Sequence, residues 1–172
     1  MVTIIPRLRR FAYALAGNLD DADDIVQETC LRALARLDQW QPGTKLDSWM
    51  YRIAQNIWID RGRASKVRGE SVDLDEAQQF HSIDGRQIMD TRLSLRDAIE
   101  GIAQLQPEQQ ILIALVCVNG LSYKEAAEIA DIPIGTVMSR LARARTALHE
   151  FLTQSEKDSS ASKNGGNNAR TH

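Results

Sequence analysis

Apolar residues recur every three to four positions along most of this 172-residue chain, the spacing of helices that bury one stripe. A first helix is predicted from Ile4 to Ala16. A second follows "GNLDDADD", where Asn18 or Asp20 can cap and the acidic side chains suit a helix N-terminus. Its apolar positions Ala22, Ile25, Val26, Cys30, Ala33, Leu34 and Leu37 keep the helical period and read as core. "DQWQPGTK" is a turn, since proline sets one φ and glycine supplies an unusual one. The third helical segment, "LDSWMYRIAQNIWIDRGRASK", places Leu46, Met50, Ile53 and Ile57 on a buried arc. Arg52, Gln55, Asn56, Arg63 and Lys66 gather on roughly the opposite side.

The periodicity then lapses. Residues 67–95 are acidic and carry glycines and serines with scattered apolar positions, the composition of a flexible linker, with room for a short helix near 75–80. Helical spacing resumes for residues 96–151. One helix reaches Leu105, and Pro107 suits the first turn of the next, "PEQQILIALVCV", which stops at Asn119-Gly120. Ser122 with Glu125 is a capping-box pattern for "YKEAAEIA". "DIPIG" makes a turn, and the last helix starts near Gly135 or Thr136. Residues 152–172 are polar and rich in glycine and asparagine, and read as a disordered tail. No segment alternates as a strand does. The fold class is therefore all-α: two small helical domains, 1–66 and 96–151, joined by a flexible linker, the second containing a helix-turn-helix.

Composition alters this picture little. With 43% hydrophobic and 26% charged residues the chain can bury a core, and no run of 18 apolar residues is present to span a bilayer. The N-terminal arginines 7, 9 and 10 precede only a short mixed apolar stretch, so the start reads as an amphipathic helix of a cytoplasmic protein, not as a signal peptide. Cys30 and Cys117 read as two buried thiols in a reducing compartment. Charge is more informative. The net charge is −2, and residues 1–66 hold ten Lys/Arg against eight Asp/Glu, while 98–151 hold four against six. No segment is a polycation. Contact with nucleic acid has to come from a few placed side chains, with weak affinity in the absence of a partner.

Three clusters carry candidate chemistry. In the last helix Val137, Leu141, Ala144 and Leu148 share one face, and Thr136, Ser139, Arg140 and Arg143 another. An apolar face that docks and a Thr/Ser/Arg face turned outward is the division a helix needs to enter a major groove. Arg145 lies off that face, toward phosphate or solvent. On the second helix Asp24, Gln27, Glu28 and Leu31 lie together on the side away from the core, a leucine among polar groups that suits a partner surface. Trp40, Trp49, Tyr51 and Trp58 crowd among Arg52, Asn56, Arg61 and Arg63, and such a mixture holds unpaired bases by stacking or simply fills a core. The plainer alternatives are a solvated charged helix and a small bundle with no special surface. Histidines 81, 149 and 172 form no ligand set with the cysteines, and no phosphate-binding glycine loop or serine elbow is present. The carboxylates of "LDDADD" and "IDRG" sit where capping and solubility explain them. The reading includes no metal, no cofactor and no enzyme chemistry.

The order of these motifs resembles the bacterial extracytoplasmic-function (ECF) sigma factors. "DADDIVQETCLRAL" is similar to their polymerase-binding helix. "PGTKLDSWMYRIAQNIWIDRGR" is similar to their −10 element segment, and "LQPEQQILIALVCVNGLSYKEAAEIADIPIGTVMSRLARAR" to their −35 domain. The resemblance covers about residues 3–151. It implies docking on the clamp of the largest subunit of core RNA polymerase through Asp24, Gln27, Glu28, Leu31 and Arg32. It further implies capture of an unpaired −10 base by Trp40, Trp49, Arg52, Asn56 and Arg63, and −35 contacts by Thr136, Ser139, Arg140 and Arg143. Promoter DNA, core polymerase and an anti-sigma factor are the implied partners. Trp40 and Leu46 stand where many relatives carry phenylalanine. Two other readings stay open: a stand-alone helix-turn-helix repressor, which leaves residues 40–63 unexplained, and a sigma-like decoy, which is expected to lose the arginines of the last helix.

Overall fold

A computed structural model describes residues 2–40, 43, 45–68 and 95–164, and all regular structure among them is helical. Helix α1 (Ile5–Ala16) follows a 3-10 turn at Val2–Ile4 and ends at Gly17, whose φ of 79° places it in the left-handed region. Helix α2 (Leu19–Ala35) is capped by Asn18, which accepts the Asp21 N–H at 2.8 Å and selects that residue over Asp20. After a 3-10 turn at Leu37–Gln39 comes α3 (Leu46–Arg68). Helix α4 covers 95–103. Helix α5 (Pro107–Ile113) opens on a capping box between Gln106 and Gln109 and widens into a π-turn over Ala114–Val118. Helix α6 (Tyr123–Ala130) carries the expected Ser122–Glu125 box, and α7 (Ile134–Asn164) closes the chain.

The π-turn has an identifiable cause. The Ala114 carbonyl accepts both the backbone N–H of Asn119, at 3.1 Å, and its side-chain Nδ2, at 2.9 Å. This five-residue reach widens the helix just before Gly120, at φ 68°, turns the chain toward α6. Between α6 and α7, Asp131 adopts φ 54°, a left-handed conformation that aspartate tolerates better than most residues. The helix-turn-helix is thus held by a cap at one end and a left-handed break at the other.

Helices α1, α2 and α3 pack mutually around Leu8, Phe11, Ala22, Ile25, Met50, Tyr51, Ala54 and Ile57, all essentially inaccessible. Phe11 and Tyr51 meet edge to face, with centroids 5.3 Å apart. Helices α5, α6 and α7 pack around Leu112, Leu115, Ala126, Ile129, Val137, Leu141 and Ala144. These two sets belong to one continuous buried cluster, because α1 lies on the π-turn and α3 on α6. No local pattern in either half announces that junction.

Several sequence expectations need correction. Leu34 and Leu37 are exposed, because the buried stripe of α2 ends at Ala33. Thr29 is buried instead, its hydroxyl bonded to the Ile25 carbonyl at 2.7 Å. Tyr51 fills the core, the second of the two readings open to the aromatic cluster, while Leu46 and Ile53, expected on the buried arc, are half-buried. The two cysteines are free, as expected, but Cys30 is half-buried and Cys117 exposed. Helix α7 does not stop at 151 but continues to Asn164, since residues 152–164 contain no glycine or proline and extend a helix already nucleated. Most of the expected linker, with its short helix near 75–80, lies outside the described residues, as does the end of the tail.

Helix α4 approaches α7 at Gly101, where an added Cβ would lie 2.6 Å from Leu148 Cδ1 and 2.9 Å from Phe151 Cδ1. Gly101→Ala is expected to destabilise the fold by about 1–3 kcal/mol through overpacking, despite the better helix propensity of alanine. A lower midpoint in thermal unfolding followed by circular dichroism checks it.

Candidate nucleic-acid interface

Each cluster singled out in the sequence has a definite place in the fold. On α2, Asp24, Gln27 and Leu31 are exposed on the side away from α1 and α3. Leu34 lies on the same strip, so the outward end of α2 shows Leu31, Leu34 and, just beyond it, Leu37, at 67%, 58% and 46% exposure. Glu28 and Arg32, half-buried, edge this strip. Glu28 accepts from Arg32 at 2.5 Å and from Arg61 at 2.8 Å, which ties α2 to α3. The hydrogen bond from Arg61 is the foremost cause holding the Glu28 carboxyl below its ordinary pKa. Sequence reasoning found Leu31 but assigned its two neighbours to the core.

On α3, Trp49, Arg52, Asn56 and Arg63 fall within about 60° of arc at helical spacing. Arg52, Asn56 and Arg63 are exposed and Trp49 half-buried against the core. Trp40 stands at the end of the preceding 3-10 turn, half-buried, and its indole N–H has no hydrogen-bond partner among the described residues. The same is true of Gln55 Oε1, so hydrogen-bonding capacity is left unspent along this segment. Trp58 is not part of the face: its indole N–H donates to the Leu15 carbonyl at 3.2 Å.

On α7 the division of faces expected from the sequence holds. Val137, Leu141 and Ala144 are buried, Ser139 and Arg143 are exposed, and Thr136 and Arg140 are half-exposed at the edge. Ser139 donates to the Thr136 carbonyl and Arg143 to the Ser139 carbonyl, local bonds that leave both side chains on the outer surface. Arg145, exposed off that face as expected, also donates to Tyr123 Oη at 3.1 Å, with Cys117 Sγ at 3.8 Å, and so braces α7 against the start of α6.

The junction between the halves brings polar groups together that the sequence leaves far apart. Tyr51 Oη donates to Asn119 Oδ1 at 3.3 Å in a buried setting. Lys45 Nζ pairs with Glu125 at 2.7 Å across 80 residues. Arg52 reaches the Glu128 carbonyl and, at 3.4 Å, the Ile129 carbonyl. Lys45 above all, then the Ser122 donors, pull the Glu125 carboxyl down to about 2. Its folded-state pKa is thus below that of a free glutamate. The stabilisation it contributes is present above the ordinary carboxylate range and is lost as pH falls toward 2. Lys45→Ala is expected to move the Glu125 midpoint upward, read from its side-chain carboxyl resonance in an NMR titration.

Among the described residues no group of histidine, cysteine and carboxylate side chains is placed to hold a metal, and no helix is long and apolar enough to cross a membrane. Family comparison adds the decisive observations. Residues 2–68 match the sigma-70 region 2 family and residues 95–148 match sigma-70 region 4. The chain is 38% identical over 152 residues to the ECF RNA polymerase sigma factor EcfG of Rhodopseudomonas palustris, covering 88% of this chain and 82% of that one. It belongs to the ECF sigma factors of the sigma-70 family. This sigma factor is also 32% identical to SigW of Bacillus subtilis, over 85% of its own length and 83% of the relative's. In structure it is similar to the sigma factor RpoE of Bartonella quintana, solved in complex with the anti-sigma factor NepR. The TM-score is 0.69 and the identity 32%, over 88% of this chain and 93% of that one. The fold is shared too with CnrH, solved in complex with the cytosolic domain of CnrY, at a TM-score of 0.67 and 24% identity. Sigma factors are not enzymes. They direct RNA polymerase to promoters, and that is the activity this family membership gives the chain.

Proposed function

We propose a division of labour among the three faces. The outward strip of α2, with Asp24, Gln27, Glu28, Leu31 and Arg32, docks on the clamp of the largest subunit of core RNA polymerase in the cytoplasm. The α3 face, with Trp49, Arg52, Asn56 and Arg63, together with Trp40 before it, holds an unpaired base of the −10 element. Extruding a base costs a few kcal/mol, which stacking on the indoles and bonds from the amide and guanidinium groups offset. Helix α7 enters the major groove at the −35 element, where Arg140 and Arg143 contact guanine or phosphate and Thr136 and Ser139 bond at shorter range.

The observation that carries this reading is the separation of faces on α7. Its buried stripe packs into the helix-turn-helix core, and its polar stripe, with two arginines, makes only local bonds among the described residues. A decoy that only titrates an anti-sigma factor has no use for those arginines. A protein of NepR type is the expected anti-sigma partner, given the 32% identical relative solved with one.

The test is transcription from sheared genomic DNA by core polymerase with and without the purified protein, with 5′ ends of the transcripts sequenced. Discrete starts that need the protein and share two motifs at fixed spacing establish the reading. Binding to core without such starts indicates a decoy, and no binding to core by a folded preparation defeats the reading.

A further inference from the structure

We propose that Arg61 is a positioning residue for polymerase docking, acting through Glu28, and not a contact to DNA. This rests on the assignment of the α2 strip to core polymerase made above. By residue type Arg61 belongs with Arg52, Asn56 and Arg63, among the aromatic and basic side chains of α3. Its place on the helix separates it from them. Arg61 precedes Arg63 by two residues and so lies about 160° round the helix from it. Half-buried there, its guanidinium meets Glu28 of α2 at 2.8 Å.

The Glu28 carboxylate is held from two sides. Oε1 accepts from Arg32 of its own helix at 2.5 Å, and Oε2 accepts from Arg61 at 2.8 Å, 33 residues away in the chain. The two bonds are not equivalent. A pair four residues apart on one helix is weak at an exposed rim, and it leaves the carboxylate free to swing together with Arg32. A guanidinium anchored on a second helix removes that freedom, because α3 is itself packed on α2. The bond from Arg61 is also the foremost cause that holds the Glu28 carboxyl below its ordinary pKa.

That order has a use at the docking strip. Glu28 lies about one helical turn before Leu31, at the edge of the apolar strip. An ionised carboxylate offers about four lone-pair sites, so two guanidinium bonds leave others free for donors of the clamp. A side chain already fixed in the free chain loses little rotamer freedom when a partner covers it, whereas a loose one opposes association. Arg61 thus serves the polymerase surface from the helix that carries the −10 face, and its guanidinium is engaged on the opposite side of that helix from Arg63.

Anisotropy titration of the labelled full-length chain with core RNA polymerase, without DNA, tests this, because a phosphate contact contributes nothing there. Arg61→Ala is expected to weaken core binding roughly two- to tenfold, the effect of one side chain left loose. Arg61→Lys, which keeps the charge and a donor, is expected to recover most of that loss. In a Glu28→Ala background nothing is left to position, so Arg61→Ala is expected to have no further effect. The Glu28 carboxyl resonance of the free chain is expected to titrate at higher pH in Arg61→Ala, because its foremost hydrogen bond is gone. Thermal unfolding of each variant checks the fold, and Arg61→Met, which keeps the length of the stem, replaces the alanine variant if that one unfolds. Core binding undiminished by loss of the guanidinium overturns the proposal. So does a loss that adds in full to that of Glu28→Ala, which places Arg61 against the polymerase itself. Failure of the parent chain to bind core defeats the docking assignment, and the role of Arg61 falls with it.

Discussion

Replacing Leu31 by glutamate is expected to abolish co-elution of the protein with core RNA polymerase while leaving its helicity and unfolding midpoint within error of the original. Leu31 is two-thirds exposed, the most exposed leucine of the apolar strip on α2, and it is not among the residues of the buried core. A leucine that makes no core contact is retained at no cost to the fold when it becomes polar, so any loss of binding reads the interface directly. Desolvated apolar anchors near the centre of an interface typically carry 2 kcal/mol or more, about thirtyfold in affinity, and a buried carboxylate adds its own desolvation cost. Leu34→Glu, at 58% exposure, is expected to act in the same direction. Size-exclusion chromatography with core enzyme, and titration by fluorescence anisotropy, give the measurement. Unimpaired binding by a variant carrying both Leu31→Glu and Leu34→Glu would place the polymerase contact elsewhere on the chain.

The second large effect is expected from Arg140→Ala combined with Arg143→Ala. Each arginine that bridges acceptors on a base contributes about 1–3 kcal/mol, so the pair should lower promoter-dependent transcription by about thirtyfold or more. Neither lies on the buried stripe of Val137, Leu141 and Ala144, so thermal stability should hold. The salt dependence separates the two kinds of contact: a lost phosphate contact flattens the slope of binding against salt, whereas a lost base contact relaxes sequence preference at one position. Arg145→Ala is the informative contrast. Its guanidinium braces α7 on Tyr123 of α6, so its removal should cost stability of the helix-turn-helix before it costs sequence preference.

Both experiments address faces that were visible as helical periodicity. Where one helix contains both its buried and its outward positions, a single turn of local geometry separates them, and α7 is the clearest case. Capping was legible for the same reason: Asn18, and Ser122 with Glu125, act within four residues of themselves. Period alone fails at the ends of elements. Leu34 and Leu37 keep the core phase of α2, but neighbours cover that stripe only as far as Ala33. Tyr51 fails differently. Its residue type suits base stacking and core filling equally, and only the approach of Phe11 and Asn119 decides between them.

By itself the sequence determined that the protein is all-helical, where most helices start and stop, and which family its motifs resemble. These are properties of short windows, set by the 3.6-residue period, by side chains that bond their own backbone, and by residues with restricted φ. The tertiary structure alone decided which apolar residues remain on the surface, what Arg145 braces, and that the two halves share a core. Lys45 and Glu125 stand 80 residues apart, and Arg52 and Ile129 stand 77 apart. No local rule couples such positions, because their energy of interaction exists only after helices α3 and α6 have been brought together by the burial of the residues around them.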